Sequence, residues 1–242
     1  MMRKSMVGLA IALSFQLASA QDFRRSYTVS AGGQIVIGNY LGDIKVTGYK
    51  GKKIEVIAHK KGPDSNLIEI ADNSSGDRIE IYPRFMQSGH GNAGVDFEIR
   101  VPQFIEYNFS RLSSFSGKVE ISDVVGRLRA DSVRGDVEVS DVRGLVSASS
   151  VSGNVSVDID QVSGPGNMRF SSISGNIDVR APADLDALID MSSVSGLLRT
   201  DFPIEIRERR YGPGRSARGR LGSGKQILRI TSVSGQVSLT HK

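Results

Sequence analysis

Apolar and polar residues alternate along the middle of the chain in short runs that are cut at a fixed interval. Between Ser113 and Val157, glycines fall at Gly117, Gly126, Gly135, Gly144 and Gly153, one every nine residues. After each glycine, positions +2, +4 and +7 are apolar: Val119, Ile121 and Val124, then Leu128, Ala130 and Val133, then Val137, Val139 and Val142. Alternation with period two marks a strand with one buried face. Units this short do not sustain a helix. Glycine is expected to supply positive φ at each corner, and the Ser and Asp beside it favour turns. Each unit therefore predicts a short strand, a bend, and an apolar residue tucked under the bend.

A single unit cannot bury its apolar side, so the copies must stack. The pattern [ST]-S-[VIF]-S-G recurs at Ser113–Gly117, Ser149–Gly153, Ser171–Gly175, Ser192–Gly196 and Thr231–Gly235, with Asp131–Gly135 a related copy. The resulting glycine spacings are 18, 18, 22, 21 and 39. The fold class they predict is all-β: a single-stranded parallel β-solenoid, or β-helix, with coils of about 18–22 residues and almost no helix. Two columns should run along it. One stacks Val119, Val137, Val155, Ile177, Leu198 and Val237; the other stacks Phe115, Val133, Val151, Ile173, Val194 and Val233. About ten coils would make a rod roughly 50 Å long.

The ends of the chain read differently. Residues 1–20 carry Arg3 and Lys4, an apolar run over Met6–Leu17, and Ala18-Ser19-Ala20 as a cleavage site, the layout of a secretory signal peptide. Residues 21–242 then form one β-solenoid domain, periplasmic, secreted or at the cell surface. No later run is apolar enough for a transmembrane helix. Residues 22–102 repeat the alternation less strictly, as at Gly42–Val46 and Ile54–Val56, and Met86–Gly94 reads as a glycine-rich loop. Residues 203–224 break the period and read as a basic flexible loop with Arg207, Arg209, Arg210, Arg215, Arg218 and Arg220.

Five segments in order resemble the bacterial "putative adhesin" family of envelope domains (domain of unknown function 4097). They are Gly42–Val56, Phe97–Pro102, Ser113–Ile121, Met191–Pro203 and Gly222–Leu239. The resemblance spans nearly all of residues 21–242. It implies a β-solenoid outside the cytoplasm and brings no catalytic residue.

Composition narrows the chemistry. The chain has no cysteine, hence no disulfide and no lipid-bearing cysteine. Its net charge is +5. The leader supplies two positive charges, so the remainder is only mildly basic and unlike a nucleic-acid binder. Gly219-x4-Gly224-Lys225 imitates a phosphate loop, but Gln226 stands where Ser or Thr is needed and a strand follows. Asp123, Asp131, Asp136, Asp141, Asp158 and Asp160 recur without the glycine pairs of calcium-binding repeats. The carboxylate pairs Glu120/Glu138 and Asp158/Asp160 are the spacing a regular solenoid surface produces by construction. His59, His90 and His241 are scattered, with no nucleophile elbow. The expectation is a protein with no catalytic, cofactor or metal site. It is an adhesin-like, non-enzymatic binding module of the envelope for a protein, glycan or polyanion, with the six arginines of 203–224 as candidate ligand contacts. The alternatives are a structural, self-assembling envelope protein and, ranked last, a polysaccharide-active β-helix enzyme.

Overall fold

A computed structural model describes residues 23–86, 92–208 and 213–242. The expected signal peptide and His90 lie outside the described residues, as do Arg209 and Arg210. The first strands are β1 (Phe23–Tyr27), β2 (Gln34–Leu41), β3 (Ile44–Tyr49), β4 (Ile54–Lys61), β5 (Ile68–Asp72), β6 (Arg78–Phe85) and β7 (Gly94–Pro102). The middle is β8 (Glu106–Ser116), β9 (Val119–Ser122), β10 (Val125–Arg134), β11 (Val137–Ser150), β12 (Val155–Gln161), β13 (Gly166–Ser172) and β14 (Ile177–Ala181). The last are β15 (Ala187–Ser193), β16 (Leu198–Thr200), β17 (Ile206–Glu208), β18 (Arg215–Arg220), β19 (Gln226–Ser232) and β20 (Val237–His241). One 3-10 turn, Ser65–Leu67, is the only helical element among the described residues.

The strands form two facing ribbons with the core between them. Ribbon one runs β5, β6, β2, β8, β10, the second half of β11, β13, β19, β15, β18, β17. Ribbon two runs β1, β4, β7, β3, β9, the first half of β11, β12, β14, β20, β16. β11 bends at Val142 and serves both. Eight two-strand turns stack in parallel, giving a body about 38 Å long rather than 50 Å.

The architecture is all-β, but it is not a single-stranded parallel solenoid. β1–β4, β4–β7, β5–β6, β15–β18 and β17–β18 pair antiparallel, so the sheet is mixed. Nor do the turns stack in chain order. The β2/β3 turn lies between the β6/β7 and β8/β9 turns, and the β19/β20 turn lies between β13/β14 and β15/β16. The expected column therefore runs Ile177, Val237, Leu198, with the last two exchanged. Interleaving leaves neither terminal turn with an open parallel edge. The two ends are instead covered by antiparallel strands, β5 and the β1–β4 pair at one and the β17–β18 hairpin at the other, since antiparallel pairs do not need the crossover that parallel ones do. Residues 203–224, expected to be a loop, contain the β17–β18 hairpin that closes one end.

The inward residues alternate as expected. Val119, Val137, Val155, Ile177 and Val237 are each at most 1% exposed, and Leu128, Val146, Met168, Leu228 and Ile189 line ribbon one. The two kinds of corner differ, and this corrects the expected second column. At the Asp-Val corners Val124 and Val142 are buried as foreseen. There it is Asp123 and Asp141 that take positive φ, with Gly126 and Gly144 close behind. At the Ser-Gly corners the inward side chain is serine. Ser132 donates to the Gly117 carbonyl (2.9 Å), Ser150 to Gly135 (2.8 Å), Ser172 to Gly153 (2.9 Å) and Ser193 to Gly235 (2.9 Å). Each serine satisfies a carbonyl that would be orphaned inside the core. The apolar residue that follows it is pushed outward.

Gly117, Gly135, Gly153 and Gly175 are required by close approach and not by positive φ. A Cβ on Gly153 would sit 2.1 Å from the Gly135 carbonyl oxygen, and one on Gly175 would sit 2.0 Å from that of Gly153.

At the other end a polar staple joins the ribbons. Tyr27 of β1 donates its hydroxyl to Asp72 of β5 at 2.8 Å, and Arg25 lies 3.7 Å away. Burial raises the Asp72 carboxyl, but hydrogen bonds from Ser74 and Tyr27 outweigh it, so its pKa lies below the usual value. Burial first, then Asp72, pushes the Tyr27 phenol above its ordinary range. A depressed carboxyl contributes stability that is present above about pH 4 and lost as pH falls through its folded value. A raised phenol contributes stability that is present below about pH 10 and lost as pH rises through its folded value. Melting curves should therefore drop at both extremes. Tyr27→Phe should lower stability by about 2 kcal/mol at neutral pH and shrink the alkaline component, to which the buried Tyr107 phenol also contributes; an unchanged alkaline limb would refute the staple.

Candidate functional site

The outer face of ribbon one gathers polar and cationic side chains from several strands. Register aligns residues that are far apart in the chain. Arg129 faces Ser147, Ser147 faces Arg169, and Arg169 faces Arg229. Arg127 stands beside Asn108 on one side and Leu145 on the other. A β-bulge in β8 shifts the register near Leu128 and places Arg111 alongside this set. The result is a shallow depression of about 580 Å³. Arg127, Arg129 and Arg169 rim it, and the hydroxyls of Ser147, Ser149 and Ser171 and the amides of Asn108 and Asn167 line it.

These arginines are not equally committed. Arg129 is bound to Asp131 (Nε to Oδ2, 3.0 Å), and Ser149 also donates to Asp131. Arg229 lies 3.5 Å from Asp190. Arg127 and Arg169 are exposed, and no carboxylate among the described residues pairs with them. A guanidinium with free donors beside hydroxyls and amides can take a carboxylate or phosphate in bidentate fashion.

The arginines of 203–224 are placed otherwise. Arg207 is held by Glu205 (2.7 Å), Arg215 by Glu208 (3.1 Å) and Arg218 by Asp190 (3.2 Å). Arg220 faces Leu188 at the end of ribbon one. Of the described members, three are thus set against carboxylates, and Asp190 is shared between Arg218 and Arg229. Sequence reading passed over Arg127, Arg129 and Arg169 because only the strand register gathers them.

The other candidate motifs resolve into structural roles. The phosphate-loop imitation is filled by the chain itself: Asp186 accepts from the Gly224 amide (2.6 Å), the Lys225 amide (3.1 Å) and the Ser223 hydroxyl (2.7 Å). The Ser223 hydrogen bond leads in holding its pKa low. Asp141, Asp158 and Asp160 converge on the Lys242 ammonium, at 3.1 Å from Asp141 and 2.8 Å from Asp158. Asp158 first, then Asp160, raises Lys242 above its usual range. This clasp ties the segment after β20 across to β11 and β12. Among the described residues no group of three His, Asp or Glu is arranged to hold a metal ion. Glu120 and Glu138 are neighbours joined through Lys118, at 3.2 and 2.6 Å. Lys45 leads in depressing the Glu120 pKa, the opposite of what a general acid requires. His241 stacks edge-on against Phe202 at the closed end, with ring centroids 4.3 Å apart.

Comparison with known proteins adds a family. The family model described as Toastrack DUF4097 matches residues 33–240. No curated protein matches the chain. Three solved structures illustrate the likeness. A putative cell adhesion protein from Clostridium sporogenes is 13% identical over 92% of this chain and 100% of its own, with a TM-score of 0.38. A putative adhesin from Bacteroides fragilis is 16% identical over 91% and 98%, with a TM-score of 0.44. A putative lipid binding protein from Parabacteroides distasonis is 12% identical over 92% and 97%, with a TM-score of 0.28. Likeness at this level carries no argument about what this chain binds. No helix among the described residues is long and apolar enough to cross a membrane.

Proposed function

The chain belongs to the Toastrack DUF4097 family, and from that premise we propose that it is an exported, non-enzymatic binding module of the cell envelope. Its ligand is anionic, an acidic glycan or a similar polyanion, taken on the outer face of ribbon one. The observation that carries this reading is the pair Arg127 and Arg169, exposed at the rim of one depression and without acidic partners among the described residues. The ladder fixes the backbone positions of the two arginines, so an anion that bridges them has to order only the side chains. The serine and asparagine side chains between them supply donors and acceptors for sugar hydroxyls.

The carboxylates support a binder over a hydrolase. Glu120, Asp131, Asp158 and Asp190 each lie in ion-pair contact with a cation, Lys45, Arg129, Lys242 and Arg218 respectively, and no two of them face one another across an open cleft. A glycosidase instead needs one acid with a raised pKa facing a second carboxylate.

Calorimetric titration with polygalacturonate, against neutral dextran as control, tests the proposal. Binding to the acidic polymer alone is expected, weakening as salt rises. Arg127→Ala with Arg169→Ala should lower affinity about 10-fold or more. Equal affinity for dextran, or an unchanged double variant, would refute it.

A further inference from the structure

A second outward column runs beside the arginines on ribbon one. It consists of the apolar residues displaced at the Ser-Gly corners. Phe115 is 37% exposed, Val151 39%, Ile173 51% and Val233 42%, with Val133 and Val194 half-buried among them. Neighbouring rungs are joined by backbone hydrogen bonds: Ser152 to Val133 (3.0 Å), Ser174 to Val151 (2.9 Å), Ser234 to Ile173 (2.9 Å) and Ser195 to Val233 (2.9 Å). Tyr40 extends the ridge by stacking on Phe115, with centroids 5.0 Å apart and planes 3° from parallel. At strand spacing the ridge is straight for about 29 Å.

The arginines keep step with it. Arg111 precedes Phe115 by four residues, as Arg129 precedes Val133, Arg169 precedes Ile173 and Arg229 precedes Val233. Four residues of strand place the two columns about 13 Å apart on one face. Between them lie Ser149, Ser171 and Thr231. Arg134 lies 5.7 Å from the Phe115 ring on the far flank. The face is thus apolar along one margin, hydroxylated in the middle apart from Asp131, and rich in arginine along the other, where Arg129 and Arg229 are met by Asp131 and Asp190 and, among the described residues, Arg111 and Arg169 are not met by a carboxylate.

Few partners satisfy both margins at once. A soluble polyanion fits the arginines and leaves the ridge in water. A second copy pressed ridge to ridge would bury one narrow line of half-exposed side chains, well short of the ~800 Å² per partner of a stable interface. A planar surface with apolar interior and anionic headgroups meets both, because a straight, rigid ridge can enter a plane along its whole length.

We propose that this face docks on an anionic lipid surface. The Phe115–Val233 ridge sinks to the boundary of headgroups and acyl chains, and Arg111 and Arg169, the members of the arginine column without a carboxylate partner among the described residues, lie on the lipid phosphates. The inference rests on the reading of the arginines as an anion site and names the anion's carrier. Co-sedimentation of the purified protein with mixed phosphatidylglycerol–phosphatidylcholine vesicles tests it, with pure phosphatidylcholine and soluble polygalacturonate as further arms. The protein should partition to the anionic vesicles alone, and less at high salt. Val151→Ser with Ile173→Ser, both on the outside, should lower vesicle partition about 10-fold and leave polygalacturonate binding unchanged. Binding to polygalacturonate without binding to anionic vesicles would overturn the lipid proposal alone. So would a ridge variant that partitions like the parent. Failure to bind either probe would overturn the arginine reading as well.

Discussion

Deleting residues 226–242 is expected to abolish the fold of the whole C-terminal half and not merely to trim one end. In a stack built in chain order, the last turn contributes a single interface. Here β19 is bonded to β13 and β15, and β20 to β14 and β16. The deletion strips two ladders from each ribbon and leaves β15 and the β17–β18 hairpin with nothing to cap. It also removes Leu228, Ile230, Val237 and Leu239, each at most 1% exposed. At about 2 kcal/mol per buried aliphatic side chain, this loss alone is about 8 kcal/mol. That is comparable with the ~5–15 kcal/mol total stability of a domain. Circular dichroism should show loss of cooperative melting. A truncated chain that melts within a few degrees of the parent would refute the interleaved arrangement.

Gly153→Ala should be nearly as damaging, at about 3 kcal/mol or more. The added methyl would meet the Gly135 carbonyl oxygen at 2.1 Å and the Ser150 hydroxyl at 2.9 Å. Neither can retreat, since the Gly135 carbonyl of the adjacent turn and the Ser150 hydroxyl of Gly153's own corner are already bound to each other at 2.8 Å. At roughly 2–4 °C per kcal/mol for a chain of this size, the melting temperature should fall by about 6–12 °C. Gly164→Ala is the informative control. That glycine has φ +77° and nothing within 4 Å of a Cβ, so only backbone strain of about 1 kcal/mol is expected. If the two variants melt alike, close carbonyl approach is not what selects glycine at the Ser-Gly corners.

Much of the interior was legible in the sequence because strict alternation leaves few choices. Val119, Val137 and Val155 stack as their 18-residue spacing, two nine-residue units per turn, requires. The order of the turns was not legible. Parallel turns with the same V-x-V inward pattern are interchangeable neighbours, so nothing local separates Leu198 from Val237 as the partner of Ile177. The 39-residue gap between Gly196 and Gly235 read as two coils, whereas it holds β16, the β17–β18 hairpin and β19. The corner residues misled for a different reason. Val133 and Val151 fit a buried position by hydrophobicity, but the carbonyl of the glycine in the adjacent turn needs a hydroxyl there, and Ser132 and Ser150 win the inward place. The candidate site was hidden by distance along the chain. Arg129 and Arg169 meet only through Ser147 between them. The arginines that cluster in sequence, Arg207, Arg215 and Arg218, each face a carboxylate.

The interleaving sets which side chains share the outer faces, and the absence of cysteine in the natural chain offers a direct test of it. Asp178, Ser238 and Arg199 are successive rungs on the outside of ribbon two, with Ser238 in the middle. Adjacent rungs lie within disulfide reach and rungs two apart do not. Under mild oxidation, Asp178→Cys with Ser238→Cys should close a disulfide readily, and Asp178→Cys with Arg199→Cys should stay reduced. The reverse pattern would place the last turn at the end of a stack wound in chain order and contradict the arrangement described for this protein.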